Sequence, residues 1–248
     1  MGIVDGKKNQ VAYIAQNMTW VEVRERLAVC ATAIVPIGST EQHGLHLPLG
    51  TDIFLAERLA ELVSERTGAL VFPSLNFGYS WSWRDRYGTV SLSQEHLQMV
   101  LKDVVTSMER YGVKRIVFLN GHEANGAAMK YAIRDIQDET DVKVLGMFYP
   151  GIGEIYGKYM ESPTWGGMFH ACEFETSLML ATREHLVHME LAREEYPDRP
   201  ALYGMDNTSI GDLSVTGVYG NPTAATKEKG EAMLREFAEN IAKLLKES

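Results

Sequence analysis

TAIVPIG, residues 32 to 38, is the stretch that decides the fold: a short apolar run closed by proline and glycine. Apolar residues without polar alternation suit a strand buried on both faces, as in a parallel sheet. RIVFLNG (115–121) has the same form, and ALVFP (69–73) and KVLGMFY (143–149) resemble it. Amphipathic stretches separate these runs: FLAERLAELVSERTG (54–68), SQEHLQMVLKDVVTSMERYG (93–112) and NGAAMKYAIRDIQDE (125–139). The first two reach a glycine, a common helix stop. Upstream, Thr19 to Glu22 has capping-box spacing and starts a helix over VEVRERLAV. The tail TKEKGEAMLREFAENIAKLLKE supplies one more surface helix. Alternating strand and helix imply right-handed crossovers and an α/β fold, a mostly parallel sheet between two helical layers. Ligands then belong beyond the carboxyl ends of the strands.

The chain of 248 residues is 45% hydrophobic and 23% charged, ordinary for a globular protein with a sizeable core. Without repeats, low-complexity segments or a Ser/Gly linker, it reads as one domain over 1–248, with 198–224 a long turn-rich loop. A formal net charge of −9 argues against nucleic acid and anionic lipid as partners. No window approaches the roughly eighteen apolar residues of a membrane span. Cys30 and Cys172 are the only cysteines, and the opening MGIVDGKKNQVAYIAQ lacks an apolar signal core, so a reducing cytoplasm is expected. The partner left is a small-molecule substrate.

Three clusters carry chemistry. GSTEQHGLHLPLGTD (38–52) follows the first strand and holds Glu41, His43, His46 and Asp52. NGHEAN (120–125) follows RIVFL with His122 and Glu123, and HACEFETS (170–177) brings His170, Glu173 and Glu175. A lone loop histidine or glutamate is usually a solvated group. Three such clusters at strand-end loops point instead to a metal or acid–base site. His185 and His188 lie among charged neighbours and His96 in a helix's first turn, which suits solvated or capping roles. Imidazole and carboxylate donors suit zinc, manganese or iron, and the missing CxxC pair argues against a closed structural zinc. So many donors allow two ions sharing a carboxylate, with a hydroxide between them as nucleophile; Asp52, short and stiff, suits the bridge.

PIGSTEQHGLHLPLGTD, FLNGHEAN and HACEFETSLML resemble, in order and spacing, the three signatures of the creatininase family of metal-dependent amidohydrolases. The similarity spans roughly residues 19 to 240, including GYSWSWRDRYGTVSL and GNPTAATKEKG. It implies a creatininase-like three-layer αβα sandwich, two divalent metal ions per chain, hydrolysis of cyclic amides or formamides, and a homo-oligomer as large as a hexamer. By position it makes Glu41, His43, Asp52 and His122 metal ligands, Asp52 bridging, and His170 the acid–base residue. The family's namesake has a carboxylate two residues after the histidine of the second motif, where this chain has Ala124. Relatives lacking it carry a glutamate three residues after the third-motif histidine, so Glu173 is expected to complete the second ion's shell. That departure counts against creatinine as the substrate. Glu175 is then expected to orient ligands from behind. Cys172 replaces a usual glycine, either as a packing residue or as a soft ligand. His46 is read as a brace for the loop, with a ligand role the other reading.

Ser80, Trp83, Arg84, Glu123 and Trp165 are the expected substrate contacts. Trp81, Trp83, Arg84, Arg86 and Tyr87 fit a flat or polyhydroxylated substrate, or equally a subunit interface. Cleavage of a C–N bond makes the protein an amidohydrolase. Two other readings are ring opening at a C–C bond, as in relatives resembling cyclitol-diketone hydrolases, and a binding protein that holds metal without turnover.

Overall fold

The computed structural model describes residues 11–248. Residues 1–10, with most of the opening read above as lacking a signal core and the start of the 1–248 span, lie outside it. In chain order the strands are β1 (Tyr13–Ile14), β2 (Thr32–Ile37), β3 (Leu70–Val71), β4 (Arg115–Asn120) and β5 (Lys143–Met147). The helices are α1 (Trp20–Val29), α2 (Thr51–Thr67), α3 (Gln94–Glu109), α4 (Gly126–Gln137), α5 (Ile152–Tyr159), α6 (Glu173–Arg183), α7 (Ile210–Leu213) and α8 (Lys227–Glu247). Among the described residues these strands all pair in parallel, in the order β1-β3-β2-β4-β5. The α/β reading holds.

Strand alternation builds two cores. Ile34, Val117 and Leu119 face a layer holding α2, α5, α6 and α8, whereas Ala33, Val35, Ile37, Ile116 and Phe118 face α1, α3 and α4. Each fully buried Ile, Leu or Phe contributes about 1.5–3 kcal/mol. The capping box at Thr19 forms, its side chain accepting from Glu22 N and Glu22 bonding back to Thr19 N. The C-terminal helix sinks a stripe from Gly230 and Met233 through Phe237 and Ile241 to Leu245. Among the described residues no helix is long and apolar enough to cross a membrane.

The sequence places the start of α2 three residues late, because Thr51 and Asp52 break its apolar period. Two glycines let this helix begin directly on the strand ends. A Cβ at Gly38, just past β2, would come within 2.6 Å of Ile53 N, and one at Gly121, just past β4, would collide with the Asp52 carbonyl. Asp52 is thereby driven between the two central strands.

Candidate dinuclear metal centre

After β2 the loop of residues 38–50 closes on itself, Glu41 N donating to Leu49 O at 3.1 Å. It delivers Glu41, His43 and His46, all fully buried or nearly so. His46 Nε2 is 2.9 Å from Thr176 Oγ1 on α6, which ties loop to helix, and burial pushes its pKa down to about 4. A brace is what the geometry supports.

After β4, two asparagines set His122. Asn120 Oδ1 accepts His122 N, and Asn120 Nδ2 donates to His122 O. Asn125 donates to Asn120 Oδ1 and Gly38 O, and accepts Tyr79 N. Neither was singled out in the sequence, although both sit inside NGHEAN; a side chain such as Asn125, which bonds backbone on two distant segments, has no local signature.

The two histidines share one logic. His43 Nδ1 lies 3.1 Å from the Glu41 carbonyl and His122 Nε2 lies 3.0 Å from the Tyr79 carbonyl. A carbonyl only accepts, so these nitrogens carry protons. The opposite nitrogens face Asp52, His43 Nε2 at 3.1 Å from Oδ1 and His122 Nδ1 at 3.0 Å from Oδ2. Burial opposes charge on His43, yet Asp52 overrides it and lifts the imidazole to about 9; burial likewise opposes His122, which Glu41 and Asp52 lift to about 10. Burial works to raise Asp52, but His43 and His122 hold it far below the carboxylate range. Each imidazole thus keeps a proton where a cation can stand.

The donor set fits divalent ions. Glu41 is wholly buried, and both its carboxylate oxygens lack a hydrogen-bond partner, as does Asp52 Oδ2, toward which His122 Nδ1 is near but poorly aligned. Burying bare carboxylate oxygens is costly unless a cation meets them. Ligand atoms of Glu41, Asp52 and His122 lie within 4.8 Å of one another, and so do those of His43, Asp52 and Glu175. The two groupings share Asp52.

Glu173 departs from its expected role. The first turn of α6 begins at Glu173, and its buried carboxylate accepts from Lys229 Nζ at 2.6 Å and from Ser162 N at 2.8 Å. Among the described residues it is absent from every metal-sized grouping, and Glu175 stands with His43 and Asp52 in its place. Burial pushes Glu175 up to about 7 against the pull of His43. The expected shared face of His170 and Glu173 needed a helix through both. His170 instead is extended, exchanging backbone hydrogen bonds with Tyr219, and Ala171 turns at φ +48° before the helix starts.

His170 Nε2 lies 2.8 Å from the Gln42 carbonyl, so it donates there and leaves Nδ1 free, 3.8 Å from Glu41 Oε1. Trp83 stacks on its ring at 4.6 Å. Burial and then the charge of His43 hold its pKa well below the usual value, so the imidazole is neutral. It also groups with Glu41 and His43.

A cavity of about 650 Å³ opens over these groups. Ser80, Trp83 and Glu123 line it, and Cys172 is buried in the core cluster that also holds Phe174 and Val218, which is the packing role. Arg84 and Trp165 do not line it. Arg84 lies over the Trp81 ring and donates to the Trp81 carbonyl, while Trp165 is buried against Tyr203 and Tyr219 and donates to Pro197 O. Arg86 donates to the Gly211 and Ser214 carbonyls and Tyr87 is fully exposed. Trp81 also lines it, and so do Tyr203, Phe148 and Phe169, which the sequence did not single out because three separate loops supply them.

A parallel sheet whose strand-end loops converge on a buried, shared carboxylate between two histidines defines a metallohydrolase-like α/β protein. The chain belongs to the creatininase family of hydrolases: the family model, creatinine amidohydrolase, matches residues 16–245. A creatinine amidohydrolase of Pseudomonas putida is 29% identical over 93% of this chain and 95% of that one. A 3-dehydro-scyllo-inosose hydrolase of Thermotoga maritima is 30% identical over 94% of this chain and 82% of the other. A solved structure described as creatininase Mn superposes with a TM-score of 0.82 at 27% identity, covering 95% of this chain and 98% of its own.

Proposed function

We propose that the protein hydrolyses the C–N bond of a small amide at a two-metal centre, one ion held by Glu41, Asp52 and His122 and the other by His43, Asp52 and Glu175. The observation that carries this reading is Asp52, with an imidazole nitrogen about 3 Å from each of its oxygens. Zinc or manganese suits this imidazole and carboxylate set. Bound there, the ions supply Lewis acidity toward a carbonyl and acidify a water.

The chain's own residues do the rest. Glu41, Asp52 and Glu175 concentrate negative charge, which draws the cations in and partly neutralises them. The backbone carbonyls of Glu41 and Tyr79 fix the tautomers of His43 and His122, so each presents a lone pair to the centre. His170, neutral and held through Nε2, takes a proton at Nδ1 from the attacking water and returns it to the leaving nitrogen. Trp83 shields that ring from bulk water. A cavity of about 650 Å³ supports a small molecule as substrate, and the outward-facing Trp20 and Tyr87 support a homo-oligomer.

Metal content of the purified protein and of Asp52→Ala tests this reading. Two ions per chain in the parent and loss of both in the variant are expected, together with a new amino group, released with formate from formamides by the parent and formed by ring opening of cyclic amides. Retention of two ions by Asp52→Ala would refute it.

A further inference from the structure

Charge is distributed unevenly in the cavity, and the imbalance bears on what enters. Its floor holds Glu41, Asp52 and Glu175, all committed to the centre proposed above. Among the described lining residues there is no lysine and no arginine. The nearby arginines are engaged elsewhere: Arg86 with backbone carbonyls, Arg84 over Trp81, and Arg199 over the rings of Trp165 and Tyr203 at 5.4 and 5.0 Å. One lining carboxylate is left over, that of exposed Glu123 on the short turn after His122. Tyr203 also lines the cavity; burial disfavours its ionisation, Arg199 opposes that, and Glu123 adds to the burial effect.

The walls are aromatic. Trp81, Trp83, Phe148, Phe169 and Tyr203 face the space, and its 650 Å³ suits a ligand larger than one small ring. Flat apolar groups stack on such walls, and cations are drawn to ring faces as well as to carboxylates. A phosphate or carboxylate at the Glu123 end would meet a like charge and no lining lysine or arginine, a costly arrangement in a partly desolvated site.

We propose that the substrate carries a flat apolar body, which lies between the aromatic walls, and an ammonium or guanidinium group remote from the scissile bond, which pairs with Glu123. The proposal rests on the hydrolytic reading of this cavity and makes Glu123 the residue that selects among amides by charge.

Binding separates the two ideas. The metal-loaded protein is titrated at neutral pH with 4-methylbenzylammonium and with 4-methylbenzyl alcohol, a neutral probe of the same shape, following tryptophan fluorescence. The cation should bind about fivefold more tightly, the ratio expected of one partly exposed ion pair. The preference should vanish in Glu123→Gln and reverse in Glu123→Lys, both changes at an exposed side chain that leave the fold intact. Equal affinities in the parent, an undiminished preference in Glu123→Gln, or no binding of either probe would overturn the proposal. A protein that prefers the cation yet hydrolyses no amide keeps this inference and loses the hydrolytic one. Amide turnover without charge preference does the reverse.

Discussion

Glu173 and Glu175 stand two residues apart in the first turn of α6, and their carboxylates serve opposite sides of it. Positions i and i+2 do not share a helix face. Glu173 meets Lys229 at 2.6 Å and Ser162 at 2.8 Å, whereas Glu175 stands with His43 and Asp52. Glu175→Gln should therefore leave one ion per chain after desalting. Glu173→Gln should keep both, and lower the unfolding free energy by about 1–3 kcal/mol, because Lys229 loses a buried charged acceptor. Metal analysis with urea melts of the two variants checks the pair; loss of metal from Glu173→Gln would reverse the assignment.

His170 should separate proton transfer from metal binding. Its Nε2 is spent on the Gln42 carbonyl and its Nδ1 is 3.8 Å from the nearest Glu41 oxygen. His170→Asn is expected to retain its metal while kcat falls by about 10²- to 10⁴-fold, the range for a general acid or base. If metal and activity disappear together, His170 is a ligand through its grouping with Glu41 and His43.

Protons and metal compete for the same places. In the metal-free protein His43 titrates at about 9 and His122 at about 10, both above the ordinary 6.5. Raised folded values mean that the pairs with Asp52 stabilise fully below pH 6.5, and that this stabilisation is lost as pH rises through 9 to 10. Metal binding at neutral pH must displace at least two protons, one from each imidazole and a further fraction from Glu175, so its affinity should rise with pH across that window. Calorimetric titration of the metal-free protein in buffers of different ionisation enthalpy counts the protons; a count of zero at neutral pH would mean that the imidazoles are already neutral.

The sequence made the central strands legible because burial on both faces leaves an unbroken apolar run: TAIVPI and RIVFLN are β2 and β4 as read. The short strand β3, between β1 and β2, was less so. Only Leu70 and Val71 of ALVFP form strand, since Pro73 has no N–H to donate and the ladder with β2 resumes only at Leu75. At the site, Glu41, His43, Asp52 and His122 stood next to strand ends, so their convergence followed from topology. Glu173 misled because its true partner, Lys229, lies 56 residues onward. Arg84 and Trp165 misled because residue type does not say which way a loop turns. Trp165 packs under Tyr203 and Tyr219, which the chain brings in from 203–219.

Two glycines five residues apart offer the sharpest test of how the fold makes the site. Gly121 closes β4, and a Cβ there would strike the Asp52 carbonyl, backbone that can yield only by moving the start of α2. That shift would carry Asp52 away from His43 and His122 together, since its oxygens lie 3.1 and 3.0 Å from their nitrogens. Gly121→Ala should thus lose both ions and about 1–3 kcal/mol of stability, the usual cost of overpacking. Gly126 is the opposite case. It is the first residue of α4 at φ −56°, and a Cβ there meets nothing within 4 Å. Gly126→Ala should gain about 0.4–1 kcal/mol, because alanine restricts the unfolded chain and favours the helix. Thermal melts and metal content of both variants decide it. A Gly121→Ala protein that keeps two ions would show that α2 can be displaced without moving Asp52, and the close seating of that helix on β2 and β4 would then not be what assembles the centre.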